Sequence, residues 1–167
     1  RDRLVEVRQG GSEVARYGYD TQNARLMVLR AGRIERDLFD GPGPNASYIL
    51  SEETIRTGRF DNDPSRLDYP LAVKGDATTY LVRDALLSVY GNVDSGGVFS
   101  GQRRYDVFGN TTAADARFAF GGRSSDSGIH YHRQRYRDAS DGIWLSTDPM
   151  GDTDAPNRYL YVRANPT

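Results

Sequence analysis

Residues 4–19 read LVEVRQGGSEVARYGY, with two runs of alternating polar and apolar residues on either side of a glycine-rich turn. Alternation with a period of two places the apolar side chains on one face of a strand, whereas a helix needs them three and four residues apart. Gln9-Gly10-Gly11-Ser12 supplies residue types that reverse a chain tightly. The stretch therefore predicts a β-hairpin.

The same pattern continues along much of the chain. Residues 25–29 and 33–39 flank Ala31-Gly32 and predict a second hairpin. Further short strand-like stretches, separated by turns rich in Gly and Asp, are 78–82, 86–90, 98–105, 118–122, 129–136, 143–145 and 158–162. Short strands at intervals of about 8–12 residues are typical of all-β proteins, so we expect an all-β, antiparallel fold.

Residues 41–79 interrupt this pattern. Residues 40–44 read DGPGP, which breaks any regular element. Ser51, followed by two glutamates, has the pattern of a helix N-cap, so a short helix is expected over 50–60. Residues 60–70 are rich in Asp, Asn and Pro and indicate an irregular loop. We therefore expect an irregular insertion or loop over 41–79.

The composition limits the possible functions. Among 167 residues, 22 Lys and Arg are balanced by 23 Asp and Glu, so the chain as a whole has no electrostatic reason to bind nucleic acid or an anionic membrane. No apolar run approaches the roughly 20 residues of a membrane helix, and the lack of cysteine excludes disulfides and thiolate chemistry. The sequence starts without an initiator methionine, and we expect it to be a segment of a longer protein.

An aromatic residue followed by aspartate recurs before the expected turns. The pairs are Tyr19-Asp20, Phe39-Asp40 and Tyr105-Asp106, the last followed by Gly109-Asn110. The aromatic ring fills one face of a strand, and the aspartate accepts a hydrogen bond from the backbone two residues on. Gly or Asn then adopts the positive φ that the turn needs. Repetition of one hairpin-and-turn unit is typical of a β spiral.

Three motifs in the second half of the chain are more specific. Residues 122–138 read GRSSDSGIHYHRQRYRD, residues 142–151 read GIWLSTDPMG and residues 157–166 read NRYLYVRANP. In this order they resemble the Rhs repeat-associated core, whose pattern runs G-L-Y-Y-x-R-x-R-Y-Y-D-P, then G-R-W/F-L-S-x-D-P-x-G, then N-L-Y-x-Y-x-x-N-N-P. Residues 84–89, DALLSV, are similar to the D-x-L-G-S-V segment of that family. The chain thus resembles the Rhs/YD-repeat family.

The resemblance implies a fold and a division of the chain. It implies antiparallel β-hairpin repeats that wind into a spiral shell, with a C-terminal core or plug. Residues 1–40 resemble YD-type hairpin repeats, and residues 80–167 resemble the core domain. The residues expected to carry the structural motifs are Tyr19, Asp20, Tyr105, Asp106, Gly109, Asn110, Gly128, Arg133, Arg135, Tyr136, Trp144, Pro149 and Gly151.

The resemblance also implies a function. In bacterial polymorphic toxins and in the C components of insecticidal toxin complexes, the family's shell encloses a C-terminal toxin. We therefore expect a structural segment of such a shell, secreted or at the bacterial cell surface, with no cofactor. The implied partners are the rest of the parent shell or a partner shell protein, together with the enclosed effector. No nucleic-acid partner and no membrane span are expected.

Self-cleavage is the first alternative, because the family's core can act as an intramolecular aspartyl protease that releases the toxin. Such chemistry uses two carboxylates, one as a base for water and one as an acid for the leaving amide. The resemblance makes Asp148 the candidate, with Asp138, Asp152 or Asp154 as its partner.

Departures from the family pattern weigh against this alternative. Ile143 stands where the family has Arg, Ala139 replaces Pro, and Asp152 replaces the Leu after the glycine. A second D-P-x-G-L segment is also missing from the sequence. Aspartate before proline is a common turn former, so we favour a structural role for Asp148 over an enzymatic one.

Other binding functions have weaker signals. Vertebrate teneurins use a similar shell for cell-surface recognition, so an adhesion or carbohydrate-recognition module is a second alternative; we expect Trp144 in the core. His130 and His132 share a strand face, but no third ligand is evident, and we expect no metal site. Four arginines interleave with tyrosines between 123 and 137, and nearby aspartates are expected to pair with them.

Overall fold

The computed structural model describes residues 3–21, 25–30, 33–38, 48–51, 58–62, 69–113, 117–148, 151 and 157–162. Within these residues the chain forms fourteen strands and a single 3₁₀ turn, and no α-helix. Every strand pairing is antiparallel, in one sheet of ten strands and one of four. The all-β, antiparallel expectation is confirmed. None of the described residues forms a helix long and apolar enough to cross a membrane.

The ten-stranded sheet is a meander in which each strand pairs with the next one in the sequence. Its strands are β1 (Glu6–Gln9), β2 (Ser12–Tyr19), β3 (Arg25–Arg30), β4 (Arg33–Leu38), β5 (Tyr48–Ser51), β6 (Gly58–Asn62), β7 (Pro70–Lys74), β8 (Thr78–Arg83), β9 (Val89–Asp94) and β10 (Phe99–Ser100). Gln9 pairs with Ser12, so Gly10 and Gly11 form a two-residue turn. Both have positive φ, 58° and 83°, which glycine adopts without strain. The hairpin predicted from residues 4–19 is therefore present.

The described part of 41–79 continues this sheet, and the expectation of an irregular insertion is wrong there. Strands β5, β6 and β7 lie in this stretch, and Arg36 pairs with Leu50 in β5. Ser51, the expected helix N-cap, instead ends β5. Pairing with a neighbouring strand outweighs the weak local signal for a helix. Residues 52–57 of the expected helix lie outside the described residues, and the boundaries of the three expected segments remain a prediction.

The four-stranded sheet contains most of the residues that resemble the family core. Its strands are β11 (Ser124–Asp126), β12 (Ile129–His132), β13 (Arg135–Asp138) and β14 (Ile143–Trp144). Residues 129–136, expected as one strand, form two, because the chain reverses at Arg133 and Gln134. Arg133 has a φ of 60°, an unusual value for a residue with a side chain.

Two further stretches of the second half differ from expectation. Residues 118–122 were expected as a strand, but Phe120–Gly122 forms a 3₁₀ turn with positive φ at Gly121 and Gly122. Residues 158–162 contribute a single bridge, between Leu160 and Ile143, rather than a strand. Consecutive glycines favour turns over strands, which accounts for the first of these differences.

The two faces of the four-stranded sheet have different surroundings. Ile129, Tyr131 and Tyr136 lie on one face and pack against the hydrophobic cluster of Ala15, Tyr17 and Val28 on β2 and β3. The opposite face carries four side chains, those of His130, His132, Arg137 and Trp144. These side chains contact residues of 108–120, in the loop after β10, and of 157–162. The small sheet thus lies between the first hairpins and the loop that follows β10.

Candidate functional site

Three turns of the second half share one hydrogen-bonding geometry. Asp84, Asp94 and Asp106 each accept two backbone N–H bonds on Oδ1, from the residues two and four positions on, at 2.8–2.9 Å. The residue three positions on has positive φ in all three turns, namely Leu87 at 68°, Gly97 at 82° and Gly109 at 87°. This is the arrangement that the Tyr105-Asp106 motif predicts for its turn.

The Asp106 turn joins the loop after β10 to the four-stranded sheet. The Asn110 amide donates to Asp106 Oδ2 at 2.8 Å and to the Ala139 carbonyl at 2.7 Å. Partial burial by itself would raise the pKa of Asp106, but hydrogen bonds from Asn110 and the turn backbone outweigh it and hold the pKa below its usual value. Asp106 is therefore ionised at neutral pH and acts as a backbone cap.

Gly109 is the point of closest approach in this turn. A Cβ built on Gly109 would lie 2.6 Å from Cγ of Phe120 and 2.7 Å from Cε1 of His130. Real Cβ atoms do not approach other heavy atoms so closely. Position 109 therefore requires glycine for two reasons: its φ is positive, and there is no space for a Cβ. At Gly97, in the equivalent turn, an added Cβ would have no neighbour within 4 Å.

A buried ionic cluster connects the two sheets. Asp126, on β11, is 3% exposed and accepts a hydrogen bond from the Tyr17 hydroxyl at 3.1 Å and one from Arg30 Nε. The guanidinium of Arg25, a residue 2% exposed, lies 3.8 Å from Asp126 Oδ2 and 4.1 Å from the ring centroid of Tyr131. Burial, and then the charge of Asp126, raises the pKa of Tyr17 and keeps it a hydrogen-bond donor.

This cluster, which we call the cross-sheet clasp (Tyr17, Arg25, Arg30 and Asp126), was missed by the sequence analysis. Tyr17 and Asp126 are 109 positions apart in the sequence. No local pattern marks such a contact, although an arginine and a tyrosine at buried strand positions require a partner. The clasp positions β11 against β2 and β3.

A second buried cation lies on the opposite face of the four-stranded sheet. Arg137 has no exposed surface, its guanidinium donates to the Phe108 carbonyl, and its Nη2 lies 2.6 Å from Nδ1 of His130. Burial, and then the charge of Arg137, lowers the pKa of His130 to about 4. Neutral His130 therefore accepts a hydrogen bond from Arg137 at neutral pH. The bond from Arg137 to the Phe108 carbonyl fixes the loop after β10 on the sheet.

The candidate catalytic aspartates lie in different surroundings. The carboxylate of Asp148 forms an ion pair of 2.7 Å with Nη1 of Arg135, and both side chains are 19% exposed. The Asp148 carbonyl accepts a hydrogen bond from the Gly151 N–H at 3.1 Å, which closes a turn. Asp138 Oδ1 accepts bonds from the Ser140 N–H and hydroxyl at 2.8 and 2.5 Å. The expected partners Asp152 and Asp154 lie outside the described residues, as does Pro149.

The remaining motif residues contribute packing and hydrogen bonds to the fold. Trp144 is 8% exposed, with the Arg135 guanidinium 3.9 Å from its ring centroid, so its ring is not available as a ligand platform. The Tyr19 and Tyr136 hydroxyls are 2.9 Å apart, and the Tyr105 hydroxyl donates to the Val89 carbonyl at 2.7 Å. Gly128 has a φ of 81° in the turn between β11 and β12, and Asp20 follows β2 directly.

Metal ligation has no geometric basis in the described part of the chain, where no three His, Asp or Glu side chains lie together. His130 and His132 lie on the same face of β12, as their spacing predicts. His130 bonds to Arg137, and the ring of His132 packs edge-on against Trp144 with centroids 4.9 Å apart.

No family model matches the chain. Three relatives match 99% of it. These are the tRNA3(Ser)-specific nuclease WapA of Bacillus spizizenii and the tRNA nuclease WapA of Bacillus subtilis, each 25% identical over 182 residues, and the tRNA(Glu)-specific nuclease WapA of Bacillus subtilis subsp. natto, 26% identical over 180 residues. The chain spans only 8% of the length of each relative.

Solved structures show the same fold. The crystal structure of TcdB2-TccC3 superposes with a TM-score of 0.68 at 20% identity, and it covers 98% of this chain and 9% of the matched chain. The Photorhabdus luminescens Tc holotoxin pore with a mutated TccC3 superposes with a TM-score of 0.66 at 22% identity over the same shares. Sequence and fold together relate this chain to the Rhs/YD-repeat proteins. Among these proteins, the chain resembles a segment that is associated with polymorphic toxins.

Proposed function

We propose that this chain is a wall segment of a β shell that encloses the C-terminal effector domain of a longer toxin. The observation that carries the proposal is the ten-stranded meander, in which every strand pairs with its successor. A meander of this kind lengthens by adding hairpins without rearrangement, which is what a spiral wall requires. The likeness in fold to the TcdB2-TccC3 complexes supports the same proposal.

The proposed mechanism is steric. Strands β1 and β10 lie at the two edges of the ten-stranded sheet, and edge strands present backbone groups that pair readily with further strands. We assign these edges to the rest of the parent shell or to a partner shell protein. A wall whose edges are paired in this way holds its cargo away from solvent and from proteases.

The four-stranded sheet is the proposed plug within the core region 80–167. It packs on the wall through the tyrosine cluster and the cross-sheet clasp, so it covers the face of β2 and β3. A steric container needs no cofactor. A secreted or bacterial cell-surface location fits such a container and belongs to the proposal.

Protease protection of the longer protein tests this function. In the wild-type protein, the region that follows this chain should resist a protease that digests the same region when it is expressed alone. Asp126→Asn, which weakens the clasp, should make that region cleavable, whereas Asp141→Asn, a matched change at an exposed turn, should leave it protected. Equal cleavage of the region in the wild-type protein and alone would refute containment.

Self-cleavage is a second proposal, favoured by the geometry of Asp148. Asp148 lies in a partly buried position beside Arg135, at an ion-pair distance of 2.7 Å, and an aspartyl protease uses a partly enclosed carboxylate as its base. Intact mass of the longer protein should then show two pieces for the wild type and for the control Asp141→Asn, at an exposed turn, but one piece for Asp148→Asn. A single intact species in all three would rule out self-cleavage and leave Asp148 with its turn and its ion pair.

A further inference from the structure

The chain leaves the ten-stranded sheet through an irregular step at the last edge of that sheet. Ser100, the final residue of β10, pairs with Asn92 on β9, and the Arg103 N–H returns to β9 by donating to the Tyr90 carbonyl at 2.7 Å. Gly101, between these two points, is exposed and has a φ of 63°. Because β10 is an edge strand of only two residues, this step lies at the border of the sheet.

Two nitrogen donors lie next to each other at Gly101. A Cβ built on Gly101 would lie 3.0 Å from Nδ2 of Asn92 and 3.6 Å from Nη2 of Arg103. A side chain at this position would therefore lie against both groups, whereas glycine leaves them open. A carboxylate has two oxygens that accept hydrogen bonds, so one carboxylate can accept from both the amide and the guanidinium. We call Asn92, Gly101 and Arg103 the edge site.

Arg103 lacks a counter-charge in the described part of the chain. Its side chain is partly buried, its Nη1 is buried without a hydrogen-bond acceptor, and no described carboxylate pairs with it. The nearest described aspartates in the sequence, Asp94 and Asp106, accept backbone N–H bonds within their own turns. A cation held partly out of water without a partner is unfavourable, and arginine suits carboxylates and phosphates. The group that balances Arg103 therefore comes from outside the described residues.

The surroundings of the edge site favour a protein partner over a small anion. Val98 and Phe99, just before the site in the sequence, are 62% and 45% exposed, so apolar surface adjoins it. The Phe99 ring lies directly over Gly91, where an added Cβ would be 2.3 Å from it. A free anion would leave this apolar surface in water, whereas a neighbouring strand covers apolar side chains and edge backbone groups together.

We propose that the edge site binds the side-chain carboxylate of an aspartate or glutamate on the strand of the longer protein that pairs with the edge of β10, with Arg103 and Asn92 as its ligands. The proposal rests on the shell function, because that function assigns this edge to a further shell segment. It adds the chemistry that this segment carries at the point of contact. The ion pair also sets the register, since a slip of one residue would move the carboxylate to the other face of the strand.

A photo-crosslinker placed beside the edge site identifies the strand that lies there. In the longer protein, p-benzoylphenylalanine in place of the exposed Gln102 should crosslink on irradiation to a segment outside this chain. Peptide mass spectrometry should place the crosslink within about three residues, or about 10 Å of strand, of an aspartate or glutamate. Crosslinks confined to this chain would mean that the edge of β10 is unpaired, which refutes the wall function together with this proposal. A crosslink to an outside segment without an acidic residue would refute this proposal alone.

Hydrogen exchange of the peptide 98–105 then measures the ion pair in the same longer protein. Arg103→Gln should speed exchange of this peptide by about tenfold, as expected for the loss of one charge-assisted hydrogen bond, and so should replacement of the crosslinked acid by its amide. The two changes together should speed exchange no further, because each removes the same contact. Arg104→Gln, with the same change in net charge at the exposed neighbouring arginine, should leave exchange unchanged.

Two results of the exchange measurement would overturn the proposal. One is a double variant in which the two accelerations multiply, since independent effects mean that the two groups do not touch. The other is slower exchange on addition of inorganic phosphate in the wild type but not in Arg103→Gln, which would assign the site to a free anion. Unchanged exchange in β2 and β3 checks that the rest of the fold is intact in every variant.

Discussion

Replacing Gly109 by alanine should destabilise the protein much more than the same change at Gly97. Both glycines hold the fourth position of an aspartate turn with nearly equal φ, 87° and 82°. The cost of placing alanine at positive φ, about 1–2 kcal/mol, is therefore common to both variants. A matched pair of this kind separates backbone strain from packing.

The packing contribution exists only at Gly109. The new Cβ would lie 2.6 Å from Phe120 and 2.7 Å from His130, whereas at Gly97 it would meet nothing within 4 Å. Forcing one extra carbon into a filled space costs about 1–3 kcal/mol, because the neighbouring rings must move. We expect a loss of about 2–5 kcal/mol for Gly109→Ala and about 1–2 kcal/mol for Gly97→Ala.

Urea unfolding followed by the fluorescence of Trp144, the sole tryptophan, measures both values. Trp144 is buried in the four-stranded sheet, so its emission reports on the part of the protein that the Gly109 turn contacts. Equal shifts of the two midpoints at unchanged slope would refute the reasoning, since they would mean that the loop yields to the new methyl group without cost.

Three more outcomes follow from the geometry. Leu87→Gly should stabilise the chain by about 0.5–1 kcal/mol in the same assay, because leucine occupies the positive-φ position of the Asp84 turn, although some apolar burial is lost. Lowering the pH should destabilise the fold, because the pKa of His130 is about 4 in the folded protein and 6.5 in the unfolded chain. The stabilisation that neutral His130 provides is complete above pH 6.5 and is lost as the pH falls through 4, which amounts to about 3 kcal/mol in total. His130→Gln should reduce this dependence in urea titrations at pH 7, 5 and 4; an unchanged slope would contradict it. Asp126→Asn should cost about 3–5 kcal/mol in the free energy of unfolding, because the buried Arg25 and the partly exposed Arg30 both lose the carboxylate that opposes their charge, and a loss below about 1 kcal/mol would mean that water reaches the clasp.

Local chemistry accounts for the parts of the fold that the sequence predicts well. The first hairpin has its alternation and its Gly10-Gly11 turn within sixteen residues, so nothing distant decides it. The Asp106 turn is equally local, because the aspartate and the backbone groups that it caps lie within four residues. Patterns that close over a few residues can be interpreted without knowledge of the rest of the chain.

The errors arise where distant partners decide the structure. Ser51 carries a helix signal, but pairing of its strand with β4 overrides it. The reversal at Arg133 was missed because that turn contains neither Gly, Asn nor Pro. The clasp joins Tyr17 to Asp126 across 109 positions of sequence, so it can be recognised only from the tertiary arrangement. Alternation assigns a residue to a face but cannot say what that face will meet.

The meander also sets an order of assembly during synthesis. Each of the ten strands needs only its predecessor, so the wall can grow hairpin by hairpin as the chain leaves the ribosome. The Tyr17–Asp126 bond is different, since it closes a loop of 109 residues and forms only after β11 has emerged. Until the four-stranded sheet has formed, side chains of the first hairpins that are buried in the folded protein, such as Arg25, remain exposed to water. Assembly is therefore gradual along the ten-stranded sheet, and the contacts between the two sheets form late.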